Sequence, residues 1–122
     1  MAKVMVVDDS ATVRAQVSRA LVQAGFEAVE ATDGRDALQK VMGPEADSVL
    51  IVCDVNMPNM SGIEFLEAAR SKGIAVPVLV LTTEGQPQMM RRAKAAGARA
   101  WIIKPFKADV LVAAAKHLAR AA

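Results

Sequence analysis

The chain is predicted to be an α/β protein built on a parallel sheet. Apolar strands alternate with amphipathic helices five times along 122 residues, the rhythm of a βα repeat. The first and third strands, VMVV and VLIVC, are near-continuous apolar runs, as expected of parallel strands covered on both faces. Both runs end in acids: Asp8 and Asp9 after the first, Asp54 after the third. The crevice beyond the carboxyl ends of such strands is where open α/β sheets bind ligands. Three carboxylates meeting there repel one another unless a cation sits between them.

The elements follow in order. The first strand is expected at Lys3–Val7. Ser10 caps a helix with Val13, Val17, Ala20, Leu21 and Ala24 on one stripe, and Gly25 stops it. The second strand, 26–31, mixes Glu27 and Glu30 with apolar residues and reads as an edge. Asp33 caps a short second helix with Ala37, Leu38, Val41 and Met42 facing inward, ended by Gly43 and Pro44. The third strand is expected at 49–53, followed by a loop at 56–60. Ser61 and Glu64 make a capping-box pattern for a helix that buries Phe65, Leu66 and Ala69 and ends at Gly73. The fourth strand is expected at 76–81 and a loop at 82–86. Pro87 suits the first turn of the fourth helix, which ends at Gly97. A short fifth strand at 100–103 and a last helix across 109–118 complete the repeat. A single domain spanning 1–122, with no output domain, is expected.

Composition narrows the class. Hydrophobic residues make up 53% and charged residues 23% of the chain, ordinary for a globular domain. No apolar run is long enough to span a bilayer, and the N-terminus lacks the pattern of a signal peptide. A cytoplasmic protein without membrane contact is the expectation. The lone Cys53 suits a reducing compartment and reads as a packed small hydrophobe. A net charge of +2 is too small to argue for nucleic acid. The charge is polarised, however. Residues 1–84 hold seven basic and twelve acidic side chains, whereas residues 85–122 hold eight basic ones and only Asp109 as an acid.

Right-handed crossovers bring the carboxyl ends of parallel strands together. Asp8, Asp9, Asp54, Thr82 and Lys104 then share one crevice while being distant in sequence. That set suits phosphoryl transfer to a carboxylate. Mg²⁺ takes carboxylate and phosphate oxygens, a hydroxyl and an ammonium can meet the phosphoryl oxygens, and a carboxylate can be the nucleophile.

Five segments then carry a resemblance: VDDS at 7–10, ATDGRDAL at 31–38, DVNMPNMSG at 54–62, LTTE at 81–84 and AGARAWIIKPF at 96–106. Together, in order, they resemble the receiver domain of two-component response regulators along essentially the whole chain, most closely the single-domain, CheY-like chemotaxis type. The resemblance implies a doubly wound (βα)5 flavodoxin-like fold with strand order 2-1-3-4-5, the order that flavodoxin and CheY exemplify. It implies that Asp54 accepts a phosphoryl group from a sensor histidine kinase. Asp8, Asp9, Asp54 and the Asn56 backbone carbonyl would hold Mg²⁺. Thr82 and Lys104 would contact the phosphoryl oxygens, and Lys104–Pro105 would be a cis peptide. Asn56 and Glu84 match the two positions that tune dephosphorylation. The chain would catalyse its own phosphorylation and dephosphorylation rather than act as a turnover enzyme.

Trp101 matches the switch position coupled to Thr82, where Tyr or Phe is commoner in the family. The bulkier ring needs a larger inward cavity. Met90, Arg91, Lys94, Trp101 and Lys107 would mark a basic docking face for an acidic downstream protein, such as the flagellar motor switch, met by a monomer. Of Met89 and Met90, one must face the core and the other is free for contact. His117 reads as surface packing. Three rivals stand beside this reading. A haloacid-dehalogenase-type phosphatase would need a carboxylate two residues after the nucleophile, where this chain has Asn56, and would place its acid pair late. A nucleic-acid module lacks a recognition-helix pattern. A phosphate sink or scaffold would keep the fold without an output of its own.

Overall fold

A computed structural model describes residues 2–83 and 85–119. Ten elements alternate along it: β1 (Lys3–Val7), α1 (Ala11–Gln23), β2 (Glu27–Ala31), α2 (Gly34–Val41), β3 (Leu50–Cys53), α3 (Gly62–Ser71), β4 (Val78–Thr82), α4 (Pro87–Ala95), β5 (Ala98–Ile103) and α5 (Ala108–Leu118). The strands form one parallel sheet in the order β2-β1-β3-β4-β5, as expected.

Strand periodicity divides the core into two layers. Met5, Val7, Ile51, Cys53, Val78 and Val80 face one way, against Phe65, Leu66 and Ala93 of α3 and α4. Val4, Val6, Leu50, Val52, Leu79 and Leu81 face the other, against Val17 and Leu21 of α1 and Leu111 of α5. Successive side chains point to opposite faces, so strands buried on both faces must be apolar at every position. That is why β1, β3 and β4 read as solid runs. The outer strands β2 and β5 carry exposed or half-buried residues instead.

Helix ends obey their local chemistry. Ser10 accepts from the Val13 amide, Asp33 from the Asp36 amide, and Ser61 and Glu64 form a reciprocal capping box. Gly25, Gly73 and Gly97 follow α1, α3 and α4 with φ of 97°, 75° and 107°, the left-handed region that favours glycine.

Four expectations are corrected. Met42 does not face inward: α2 ends at Val41, so Met42 caps it outside the packed turn and is 54% exposed. Thr82 ends β4 rather than opening a loop, because it pairs with Ile103 across the sheet. The fifth strand starts at Ala98, two residues early, and is the longest of the five described. Val78 pairs with Ala98 and Leu79 with Ala100, so Arg99 is an extra residue in β5, a bulge of the kind common at sheet edges. Strands two, three and four begin one or two residues later than expected.

Candidate functional site

The ladder hydrogen bonds continue one residue past the strands, and this brings the site residues together. The Asp8 amide donates to the Ala31 carbonyl of β2 at 3.2 Å, and the Asp54 amide to the Val7 carbonyl of β1 at 3.0 Å. On the other side the Lys104 amide donates to the Thr82 carbonyl at 2.8 Å. Asp8, Asp54 and Lys104 are therefore fixed by backbone, as continuations of β1, β3 and β5.

Their side chains converge. One ligand oxygen each of Asp8, Asp9 and Asp54 lies within 4.8 Å of the others. Asp8 and Asp54 are buried and Asp9 is exposed. The Lys104 ammonium donates to Asp8 Oδ2 at 2.7 Å and Asp54 Oδ2 at 3.2 Å. The second oxygens are also taken: Asp8 Oδ1 accepts from the Ser10 amide at 2.9 Å, and Asp54 Oδ1 from the Val55 amide at 2.7 Å. Lys104–Pro105 is cis, as the resemblance implied.

Three carboxylates against one ammonium leave the cluster with surplus negative charge. Burial alone would lower the Lys104 pKa, but the hydrogen bond to Asp8 and the charges of Asp54 and Asp8 outweigh it, and the pKa is raised. The donor set is hard oxygen throughout, the set Mg²⁺ prefers. Cys53, next to Asp54, is fully buried; desolvation first, then the Asp54 and Asp8 charges, push its thiol far up. A thiolate is the reactive form, so Cys53 is packing, as expected.

Thr82 is fully buried at the end of β4, and Asn56 is exposed in the loop after Asp54. Glu84 lies outside the described residues. Trp101 is half buried and packs on the α3–α4 side of the core. It borders a shallow cavity of about 310 Å³ shared with Met90, Arg91, Lys94 and Arg99. Met89 packs against the core while Met90 is 38% exposed. Arg92 turns away to make a two-pronged pair with Glu67 of α3, at 2.9 and 2.8 Å. Lys107 is exposed just before α5 and does not line that cavity. His117 is exposed on α5.

Sequence reasoning missed Arg14. One turn into α1, its guanidinium reaches back to the Asp8 carbonyl at 2.6 Å and pairs with Glu30 of β2 at 3.0 Å. The signal was its place four residues after the Ser10 cap. Asp33, legible in the sequence only as a cap, has a second partner: its other carboxylate oxygen accepts from the Asn59 side-chain amide at 2.7 Å.

Comparison with known proteins gives a consistent answer. The family model described as the response regulator receiver domain matches residues 4–116. The chemotaxis protein CheY1 of Helicobacter pylori is 37% identical over 112 residues, covering 89% of this chain and 90% of that one. The transcriptional regulatory protein PdtaR of Mycobacterium tuberculosis is 36% identical over 92% of this chain, which spans 54% of it. The structure of chemotaxis protein CheY4 of Vibrio cholerae superposes with a TM-score of 0.88 at 42% identity, over 97% of this chain and 98% of that one.

Proposed function

The chain belongs to the response regulator receiver domain family, in its CheY-like branch, and from that premise we propose that Asp54 accepts a phosphoryl group from a sensor histidine kinase. The observation that carries the proposal is the meeting of the Asp8, Asp9 and Asp54 oxygens within 4.8 Å of one another, with the Lys104 ammonium bonded to two of those residues.

A carboxylate oxygen of Asp54 forms the bond to phosphorus while the donor's phosphorus–nitrogen bond breaks, its electron pair going to the departing imidazole. Asp8, Asp9, Asp54 and the Asn56 backbone carbonyl would hold Mg²⁺, which when bound would supply neutralisation of the phosphoryl oxygens. Lys104 adds a second positive charge and Thr82 a hydroxyl donor. Asn56 and Glu84, by their match to the family's two tuning positions, set how fast water removes the group. The chain is thus its own substrate, and the phosphoryl group is a signal rather than a product.

The signal leaves through Thr82 and Trp101. Turning of the buried Thr82 hydroxyl toward the phosphoryl group opens space into which the Trp101 ring moves, biasing two states of the α4–β5–α5 face. Met90, Arg91, Lys94, Trp101 and Lys107 then meet an acidic partner protein, in a chemotaxis pathway of the cytoplasm, as a monomer. Support for the docking face is the grouping of Arg91, Lys94 and Arg99 around the half-buried indole. Its binding is expected to weaken as salt rises.

Trp101 is the only tryptophan in the chain, so its fluorescence reports one place. Mg²⁺ is added first and then a small phosphodonor, with Asp54→Asn alongside. A Mg²⁺ response and a donor response absent from the variant support the proposal. A protein silent to both favours the scaffold reading and passes the question to the intact mass of Asp54, and a metal response with no donor response counts against the Trp101 coupling.

A further inference from the structure

We propose that Asp33 and Asn59 are positioning residues for the loop that carries Asn56, their side-chain hydrogen bond holding that loop against α2 so that the Asn56 carbonyl stays where a cation at the acid cluster can use it. The inference rests on the metal reading above and names residues that reading does not include.

The loop leaves β3 at Asp54 and must return to α3 at Gly62. Its near end is tied down, with the Val55 amide on Asp54 Oδ1 at 2.7 Å and the Gly62 amide on the Val55 carbonyl at 2.8 Å. Between these ties Asn56, Pro58 and Asn59 are exposed and Met57 is half buried. Burial alone does not define the backbone there. The far end is held by α2 through two bonds. Asn59 Nδ2 donates to Asp33 Oδ2 at 2.7 Å, and the Gly34 amide donates to the Met60 carbonyl at 3.0 Å.

The contact is built for closeness. A Cβ on Gly34 would lie 2.5 Å from the Met60 carbonyl oxygen, so only glycine admits the loop at this distance. Asn59 has φ of 67°, a left-handed conformation that Asn tolerates better than most residues. Asp33 is buried, and its two oxygens act separately. Oδ1 caps α2 through the Asp36 amide at 2.8 Å, and Oδ2 holds Asn59. Those two bonds, the Asp36 amide first and the Asn59 amide second, keep the carboxyl below its usual range. Partners that hydrogen-bond directly to metal ligands typically change metal affinity about 10–100-fold when mutated, and a bond that holds the ligand's loop acts at the lower end of that range.

Capping and loop-holding can be separated by substitution. Asp33→Ser keeps a good cap but is too short to reach Asn59. Asn59→Gly keeps the left-handed backbone and deletes the amide. Asp33→Asn retains the bridge, since the Asn59 amide can flip to accept from the new donor. Mn²⁺ alone is titrated into the whole 122-residue chain, and free Mn²⁺ is read by electron paramagnetic resonance. Each of the first two variants is expected to bind about tenfold more weakly. The double variant is expected to lose about tenfold rather than a hundredfold, because both changes remove one interaction. Asp33→Asn is expected to bind nearly as wild type does, and metal-free thermal melts should show each variant still folding cooperatively, with a modest loss where the Asp33–Asn59 bond is removed. Unchanged Mn²⁺ affinity in both single variants overturns the inference, as does a double variant with fully additive loss. A wild type that binds no Mn²⁺ overturns the metal reading itself and this inference with it.

Discussion

Replacing Lys104 with Met removes the ammonium that bonds both Asp8 and Asp54. The distances are 2.7 and 3.2 Å; at an effective dielectric of about 20, unit charges so placed attract by about 6 and about 5 kcal/mol. Desolvation of the three groups cancels much of that. Removing one partner of a buried pair costs about 3–5 kcal/mol. The Lys104 side chain keeps 15% of its exposure, which argues for the low end, about 3 kcal/mol in metal-free protein. Two carboxylates are then left together without their counter-charge, so Mg²⁺ should stabilise the variant more than it stabilises wild type. Urea unfolding at neutral pH, with chelator and with Mg²⁺, measures both effects. The pH dependence has a definite sign. The Lys104 pKa is raised in the folded protein, so its contribution is full below the ordinary lysine value and fades as pH rises through the folded one. The gap between wild type and variant should therefore hold through neutral pH and narrow in strong alkali. A metal-free Lys104→Met protein as stable as wild type would refute the reasoning.

Further outcomes are expected elsewhere. A Cβ on Gly62 would collide with the Asp54 carbonyl, so Gly62→Ala should cost about 3 kcal/mol by overpacking and weaken Mg²⁺ binding, both measurable in one set of melts. Glu67→Gln should loosen α4 slightly, because the Arg92 hydrogen bond lowers the Glu67 pKa. That contribution is present above the ordinary glutamate range and lost as pH falls through the lowered value, so wild type and variant should melt alike in acid and in high salt. Cys53 should resist alkylation in the native protein and react on unfolding, since burial keeps the thiol protonated; fast native labelling would contradict its buried placement.

Much of the architecture is legible because both-face burial forces solid apolar strands. VMVV and VLIVC can be read as central strands without any partner in view. Edge strands carry weaker signals, and the fifth reads short because Ala98 owes its strand to pairing with Val78, and Arg99 is carried along as the bulge before Ala100 pairs with Leu79. Thr82 reads as loop for the same reason: its place in β4 comes from Ile103 across the ladder. Met42 fits the helical stripe numerically, yet the helix stops before it. Among site residues, Asp8, Asp54 and Lys104 announce themselves as polar residues that end apolar runs. Arg14 and Asn59 do not, because their importance lies in what they reach: the Asp8 carbonyl in one case and the second oxygen of Asp33 in the other. Such tertiary hydrogen bonds leave no periodic trace in a sequence.

Intact-mass analysis after exposure to Mg²⁺ and a small phosphodonor tests the phosphoacceptor assignment most directly. Wild type should gain the mass of one phosphoryl group, lose it with time, and gain nothing when chelator removes the metal; Asp54→Asn should gain nothing under any condition. Equal phosphorylation of the Asp54→Asn variant, or of wild type without metal, would contradict both the acceptor and the acid cluster that serves it.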